Sequence, residues 1–110
     1  MHISVNGHQI DIGDSLRIHV TERLSGDVEK YFENAIEGHI GFSREGAMFR
    51  TQISVHVGKG IMMESHGTDG EIYGSFNDAA EHLNKQLRRY KRRLRDHHKG
   101  SDNSVQEGRG

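Results

Sequence analysis

Basic side chains concentrate near the end of the chain, at a spacing that fits one face of a helix. Residues 85–99 hold 8 Lys or Arg against 1 acid, whereas residues 1–84 hold 6 against 13. Guanidinium groups bind phosphates through two parallel hydrogen bonds, so an Arg-rich face favours an anionic partner, with nucleic acid as the leading candidate. On a helical wheel, six cations lie opposite an apolar stripe: Lys85, Arg88, Arg89, Arg92, Arg95 and Lys99.

The alternative interpretation of this face is that it only keeps the helix soluble. Solvated faces normally mix charges of both signs, and here only Asp96 offers compensation. Like charges three or four residues apart destabilise a free helix by a few tenths of a kcal/mol per pair, roughly. A phosphate-bearing partner would relieve that repulsion, which favours the binding interpretation.

The first predicted helix carries two further candidate cations, Arg23 and Lys30, which are a heptad apart. They could extend a basic groove beside the last helix. They could equally pair with acids on the exposed side of their own helix. Both interpretations stay open at this stage, and the acids concerned are Glu22, Glu29 and Glu33.

Other chemistries have little support in the sequence. The chain has no Cys and 9 His, but the adjacent pair His97-His98 cannot face one site on a helix. Neither a metal-binding spacing nor a nucleophile or P-loop motif occurs. We therefore expect no cofactor, no metal, no catalysis and no small-molecule substrate. The absence of a long apolar run and of a signal-peptide pattern predicts a soluble cytoplasmic protein without a membrane partner.

The predicted elements follow the order β-α-β-β-β-α. The alternation of apolar and polar residues is clearest in strand 48–57, which should have one buried and one solvated face. Turns are predicted at 6–7 and 67–70, and residues 9–12 could extend or pair the first strand. Residues 1–99 are expected to form one domain and residues 100–110 a disordered tail or the start of a linker. The other strands are predicted at 2–5, 38–44 and 61–66, and the helices at 14–34 and 72–98.

An α+β fold follows from this order, with an antiparallel-rich sheet and both helices on one face. The last helix supplies a narrow apolar stripe to that face, made of Phe76, Ala80, Leu83, Leu87, Tyr90 and Leu94.

Several short segments, in this order, resemble the ribosome hibernation promoting factor family, which includes ribosome-associated inhibitor A. The likeness covers about residues 1–99 and depends on ordered spacing more than on any one motif. The segments that carry it are Gln9–Ile12, Leu16–Leu24, His39–Glu45, Phe76–Asp78 and Leu83–Leu87.

The resemblance implies a fold related to double-stranded RNA-binding domains. It implies binding to the small (30S) ribosomal subunit, through 16S ribosomal RNA, in the channel that messenger and transfer RNA would occupy. The family's basic positions then fall on His82, Lys85 and Arg89 of the last helix, on Arg23 and Lys30 of the first, and on Arg44 after the second strand. His82 replaces the usual Lys, so the charge at that position depends on pH.

Family members exist as short forms and as long forms whose C-terminal domain joins two ribosomes. The basic run of this chain is more typical of the long type, and the sequence is compatible with a short form or with the N-terminal domain of a long one. Ribosome dimerisation is expected only if such a further domain exists. Two other hypotheses remain: a general double-stranded RNA-binding domain and a module that binds an acidic protein.

Overall fold

The structure, a computed structural model, describes residues 1–58 and 60–103, with side chains described up to Leu94. Its elements follow the predicted β-α-β-β-β-α order, which confirms the α+β fold class. Their bounds are β1 His2–Gly7, α1 Asp14–Glu29, β2 Glu37–Glu45, β3 Met48–Gly58, β4 Ile61–Asp69 and α2 Ile72–Asn103.

The four strands form one mixed sheet in the order β1-β2-β3-β4. β1 pairs with β2 in parallel, whereas β2–β3 and β3–β4 are antiparallel hairpin pairs. A parallel neighbour requires a crossover connection, and α1 supplies it. The sheet is therefore antiparallel-rich, as predicted, with β1 and β4 as its free edges.

Both helices cover one face of this sheet and leave the other face open. Along β3, Thr51, Ile53, Val55 and Val57 are buried, which confirms the predicted alternation. Buried polar groups on this face are paired: Thr51 Oγ1 and Ser75 Oγ lie 2.7 Å apart, and Ser65 Oγ donates to Ala79 O at 2.8 Å. The helices complete the core with Leu16, Val20, Leu24 and Val28 from α1 and Phe76, Ala79, Ala80, Leu83 and Leu87 from α2.

The first predicted turn is misplaced, because Asn6 and Gly7 belong to β1. They pair with Gly41 and Phe42 of β2, and the next amide, His8 N, donates to Phe42 O at 2.8 Å. The chain bends after this pairing, at Gln9, which has a positive φ of 59°. Residues 9–12 therefore form no strand.

α1 ends at Glu29, earlier than the predicted residue 34. β2 must begin beside His2, since Glu37 pairs with it in the parallel register. The crossover helix therefore has to run back only about the length of β1. Its 16 residues span about 24 Å, which is enough for this return. The chain leaves the helix through turns in which Tyr31 N and Phe32 N donate to Val28 O.

The second predicted turn, at 67–70, is wrong for its first three residues, because β4 continues to Asp69. Gly67 is a strand residue on which α2 packs closely. A Cβ at this position would lie 2.6 Å from Asp78 Cβ and 2.7 Å from Ser75 O. The glycine therefore serves helix–sheet contact and not a reversal of the chain.

α2 continues to Asn103, past the predicted end at residue 98. Leu94, which was predicted to be buried, is 44% exposed because the last turns of α2 extend beyond the start of β4. The predicted stripe is otherwise buried or half-buried. The predicted tail lies outside the described residues from residue 104 onward.

Candidate nucleic-acid interface

The solvent-facing side of α2 carries the predicted basic face. The side chains of Lys85, Arg88, Arg89 and Arg92 are all exposed, while Leu83 and Leu87 on the opposite side are buried. The structure therefore brings four of the predicted residues together on one surface. The side chains of Arg95 and Lys99 lie outside the described residues, although the α2 backbone continues through both positions.

One flank of α2 caps the free edge of β4. Thr68 N donates to Asp78 Oδ2 at 3.2 Å, and Gln86 Nε2 donates to Glu64 O at 2.7 Å. His82, midway between them on the helix, lies with Nδ1 2.8 Å from His66 O. We call Asp78, His82 and Gln86 the edge-capping series, since they are four residues apart and hydrogen-bond to alternate residues along the outer edge of β4.

His82 is thus held beside β4, and its side chain remains about 50% exposed. A carbonyl oxygen only accepts hydrogen bonds, so this contact requires the proton on Nδ1. The other nitrogen, Nε2, lies 3.7 Å from Asp78 Oδ1, so this carboxylate is close to the ring but beyond hydrogen-bond distance. The role of His82 toward RNA stays a prediction, and Asp78 would offset its positive charge.

The opposite flank of α2 faces α1, where Arg23 lies. Arg23 Nε donates to Asp27 Oδ2 at 2.8 Å, and Asn84 Nδ2 of α2 donates to the same oxygen at 2.9 Å. Arg23 therefore pairs with an acid of its own helix, although with none of the three acids considered from the sequence. Its side chain is still 33% exposed beside α2, so the groove interpretation is compatible with this pairing.

Lys30 follows the last residue of α1 and lines a pocket of about 430 Å³ that residues 29–34 form with Val57 and Lys91. The ammonium group of Lys91 reaches the same pocket and lies 5.1 Å from the centre of the Phe32 ring. Glu29 and Glu33 also line it, so positive and negative groups are mixed there. Lys30 is close to the basic part of α2, but its surroundings are not uniformly cationic.

Arg44 lies within β2 and not in the loop after it, because it pairs with Phe49, and it is far from the other candidates. Its guanidinium carbon is 4.6 Å from the centre of the Phe49 ring, and Phe49 pairs with Asp69 just before α2 begins. Arg89, by contrast, lies near Met62 and Met63 at the other end of β4. Since Asp69 and Met62 are seven residues apart along β4, the two arginines are separated by roughly 20–25 Å.

Sequence reasoning left out a second pocket, of about 500 Å³, between α2 and the start of β4. β4 contributes Ile61, Met62 and Met63, and α2 contributes Gln86, Arg89, Tyr90 and Arg93. The guanidinium carbon of Arg93 lies 5.9 Å from the centre of the Tyr90 ring. Arg93 follows Arg89 by one turn, and that spacing was the available signal. We call this site the α2–β4 pocket.

The described residues show neither a cluster of metal ligands nor a helix suited to crossing a membrane. Within the described part of the chain, no three His, Asp or Glu side chains converge so as to hold a metal ion. His39, one of the scattered histidines, contacts Ser4 Oγ at 2.6 Å and Glu37 at 3.6 Å on the open sheet face. No described helix has the length and apolar character that crossing a bilayer requires.

The profile of the family described as "Sigma 54 modulation protein / S30EA ribosomal protein" matches residues 3–95. The chain belongs to this family. The match covers every strand, α1 and most of α2, so the predicted family resemblance is confirmed.

Curated relatives carry a consistent name. A ribosome hibernation promotion factor of Rhizobium meliloti is 33% identical over 97% of this chain and 56% of its own length. The corresponding factor of Bradyrhizobium diazoefficiens is 34% identical over 87% of this chain and 47% of its own length. The chain therefore spans about half the length of these relatives. A ribosome hibernation promoting factor of Salmonella typhimurium is 28% identical, and the match covers 88% of this chain and 100% of that protein.

Solved structures show the same fold. The N-terminal domain of Thermus thermophilus Protein Y superposes with a TM-score of 0.73 at 23% identity, over 82% of this chain and 99% of that one. A ribosomal subunit interface protein of Coxiella burnetii gives a TM-score of 0.68 at 21% identity, over 83% and 98% of the two chains. The family is one of ribosome hibernation factors, which are not enzymes.

Proposed function

We propose that this chain binds the small (30S) ribosomal subunit through phosphates of 16S ribosomal RNA and blocks translation from the channel of messenger and transfer RNA. The observation that carries the proposal is the row of exposed cations on α2, Lys85, Arg88, Arg89 and Arg92, in a chain whose remainder is acidic. The names of its relatives support a ribosome as the partner. Residues 1–99 would act as the ribosome-binding domain, in the cytoplasm.

The mechanism would be steric exclusion. A rigid helix presents the guanidinium groups to the RNA backbone, and the sheet holds that helix in place through Phe76, Leu83 and Leu87. Phosphate contacts position a protein without reading sequence, which suits a partner recognised mainly by shape. With the channel occupied, messenger RNA could not enter.

Co-sedimentation of the purified chain with small ribosomal subunits tests this proposal. Saturable binding of about one copy per subunit is expected. With about six phosphate contacts, affinity should fall on the order of a thousandfold between about 50 and 200 mM salt. A messenger RNA fragment that fills the channel should compete, whereas a double-stranded RNA should compete poorly.

Two results would contradict the proposal. Absence of binding at low salt would remove the ribosome as the partner. Complete displacement by double-stranded RNA would instead favour a general double-stranded RNA-binding domain. The start of α2, Ile72–Asp78, argues against that alternative because it contains no Lys or Arg.

A further inference from the structure

We propose that the α2–β4 pocket binds one unstacked nucleotide of a single-stranded RNA segment. The inference rests on the proposed function, because it specifies which part of the RNA one subsite would hold. Its volume of about 500 Å³ lies within the range of about 300–1,000 Å³ that is typical of small-ligand sites. Such a space admits a single nucleotide but not an RNA helix.

The positive charge of one part of this pocket favours the phosphate group of the nucleotide. The described residues that line it include two arginines, Arg89 and Arg93, and no carboxylate. The two follow each other by one helical turn, so their guanidinium groups lie on the same side of α2. The pocket at the end of α1 differs, because Glu29 and Glu33 lie there beside Lys30 and Lys91.

The apolar and aromatic side chains in the other part of the pocket favour contact with a nucleotide base. Met62 is 52% exposed and lines the pocket together with the half-buried Tyr90 and the partly buried Ile61. Unstacked RNA bases pack on aromatic rings and on guanidinium planes, and thioether side chains adapt to flat ligands. Arg93 already lies over the Tyr90 ring, at 5.9 Å. A site for inorganic phosphate would explain the arginines but not the exposed methionine.

The pocket adjoins a part of the β4 edge that the edge-capping series does not cover. The edge-capping series covers Thr68, His66 and Glu64 through Asp78, His82 and Gln86. The next position in the series is Tyr90, which lines the pocket next to Met62. The pocket therefore begins where the capping series ends, and it adjoins the exposed cations of α2.

Methyl resonances of the methionines report occupancy directly. The chain has 4 Met: Met62 and Met63 line the pocket, whereas Met1 and Met48 lie elsewhere. With the Met methyl groups ¹³C-labelled, a single-stranded RNA hexamer should shift the Met62 resonance through the ring current of a stacked base. The Met1 and Met48 resonances should stay in place.

Three further titrations identify the ligand. Double-stranded RNA should not shift Met62, and inorganic phosphate should leave it unchanged. Adenosine 5′-monophosphate should shift Met62 in the same direction but only at higher concentration than the hexamer. A Met62 shift produced by phosphate alone, or tighter binding of the free nucleotide than of the hexamer, would overturn the assignment to RNA.

A pair of lysine substitutions tests the pocket on the ribosome. Met62→Lys adds a positive charge but removes the apolar contact, so small-subunit affinity should fall roughly 5- to 100-fold. Met48→Lys is the matched control, because Met48 is 42% exposed on the same open face at the far end of the sheet. The control should bind as well as the wild type or slightly better. Equal affinities of the two variants would refute a base in the pocket.

The dependence on salt separates base from phosphate contacts. Met62→Lys should lower affinity at every salt concentration without making its salt dependence shallower. Arg93→Ala should reduce the slope of log affinity against log salt by about 1. If wild-type chain fails to bind subunits, the proposed function is wrong, and the hexamer titration still decides whether the pocket takes RNA. If subunits bind but Met62→Lys matches Met48→Lys, only the pocket is wrong.

Discussion

Asp27 of α1 and Asn84 of α2 are joined by a hydrogen bond of 2.9 Å from Nδ2 to Oδ2. The same carboxylate oxygen accepts from Arg23 Nε at 2.8 Å. Because the Asp27 side chain is only 18% exposed, water competes little for this oxygen. One acid thus connects the two helices and fixes the direction of a candidate RNA-binding arginine.

Replacing this acid should destabilise the fold. Asp27→Ala leaves Asn84 and Arg23 without their shared acceptor, and hydrogen bonds to a charged group contribute about 1.5–3 kcal/mol. We expect the free energy of unfolding, measured by urea denaturation, to fall by about 1–3 kcal/mol. The control is Glu29→Ala on the same helix, whose carboxylate accepts from Ser25 at an exposed site and should change stability by less than about 0.5 kcal/mol. Equal losses in both variants would contradict the bridging role of Asp27.

Charge reversal on α2 should abolish ribosome association. The triple variant Lys85→Glu, Arg89→Glu and Arg92→Glu places three acids on the exposed face, where they would repel phosphate. We expect no co-sedimentation with small subunits at low salt. These three side chains are exposed to solvent, so circular dichroism should show a folded domain.

A charge-preserving variant controls this experiment. Lys85→Arg, Arg89→Lys and Arg92→Lys change the same three positions but keep their sum of charges. Binding should persist, weakened to the extent that bidentate arginine contacts are lost. A folded charge-reversal variant that still bound subunits would show that the proposed face is wrong.

Gly67 should tolerate no side chain. In Gly67→Ala the new methyl group would lie 2.6 Å from Asp78 Cβ and 2.7 Å from Ser75 O, so α2 would have to shift away from β4. The free energy of unfolding should fall by about 1–3 kcal/mol, as for other overpacked cores. Gly41→Ala is the control, since a Cβ there meets nothing within 4 Å, and it should be neutral or slightly stabilising in the same denaturation experiment.

Periodicity predicted the elements that bury a regular apolar face. The alternation in β3 and the stripe from Phe76 to Leu87 each mark one face of one element. Both of these faces are buried. The same periodicity placed Leu94 in the core, because a helical wheel does not show where the underlying sheet stops. Gly67 was misread for a similar reason, since its closeness to α2 is a contact between distant segments.

The candidate site was predictable only as far as it lies on one helix. Lys85, Arg88, Arg89 and Arg92 share a face whatever surrounds α2. The acid that pairs with Arg23 was not predicted, although it lies on the same helix, and the engagement of His82 with β4 depends on tertiary packing. The α2–β4 pocket joins residues from two elements, so the one-turn spacing of Arg89 and Arg93 could indicate only its α2 side.

The edge-capping series should keep β4 from pairing with another copy of the chain. An unpaired strand edge is a template for further strands, and here α2 side chains cover it at Glu64, His66 and Thr68. Replacing Asp78, His82 and Gln86 together by Ala should expose these backbone groups while leaving the core unchanged. We expect concentration-dependent association in sedimentation velocity, at concentrations where the wild type sediments unchanged.

A matched triple variant separates edge exposure from a general effect of truncating α2. Glu81→Ala, Lys85→Ala and Arg88→Ala remove three exposed side chains from the same turns, on the side of the helix that faces away from β4. This control should sediment like the wild type, because it leaves the three contacts to β4 intact. If the edge variant also sedimented unchanged, the capping contacts would not be what prevents pairing at β4. Association of both variants would point instead to a general effect of truncating side chains on α2.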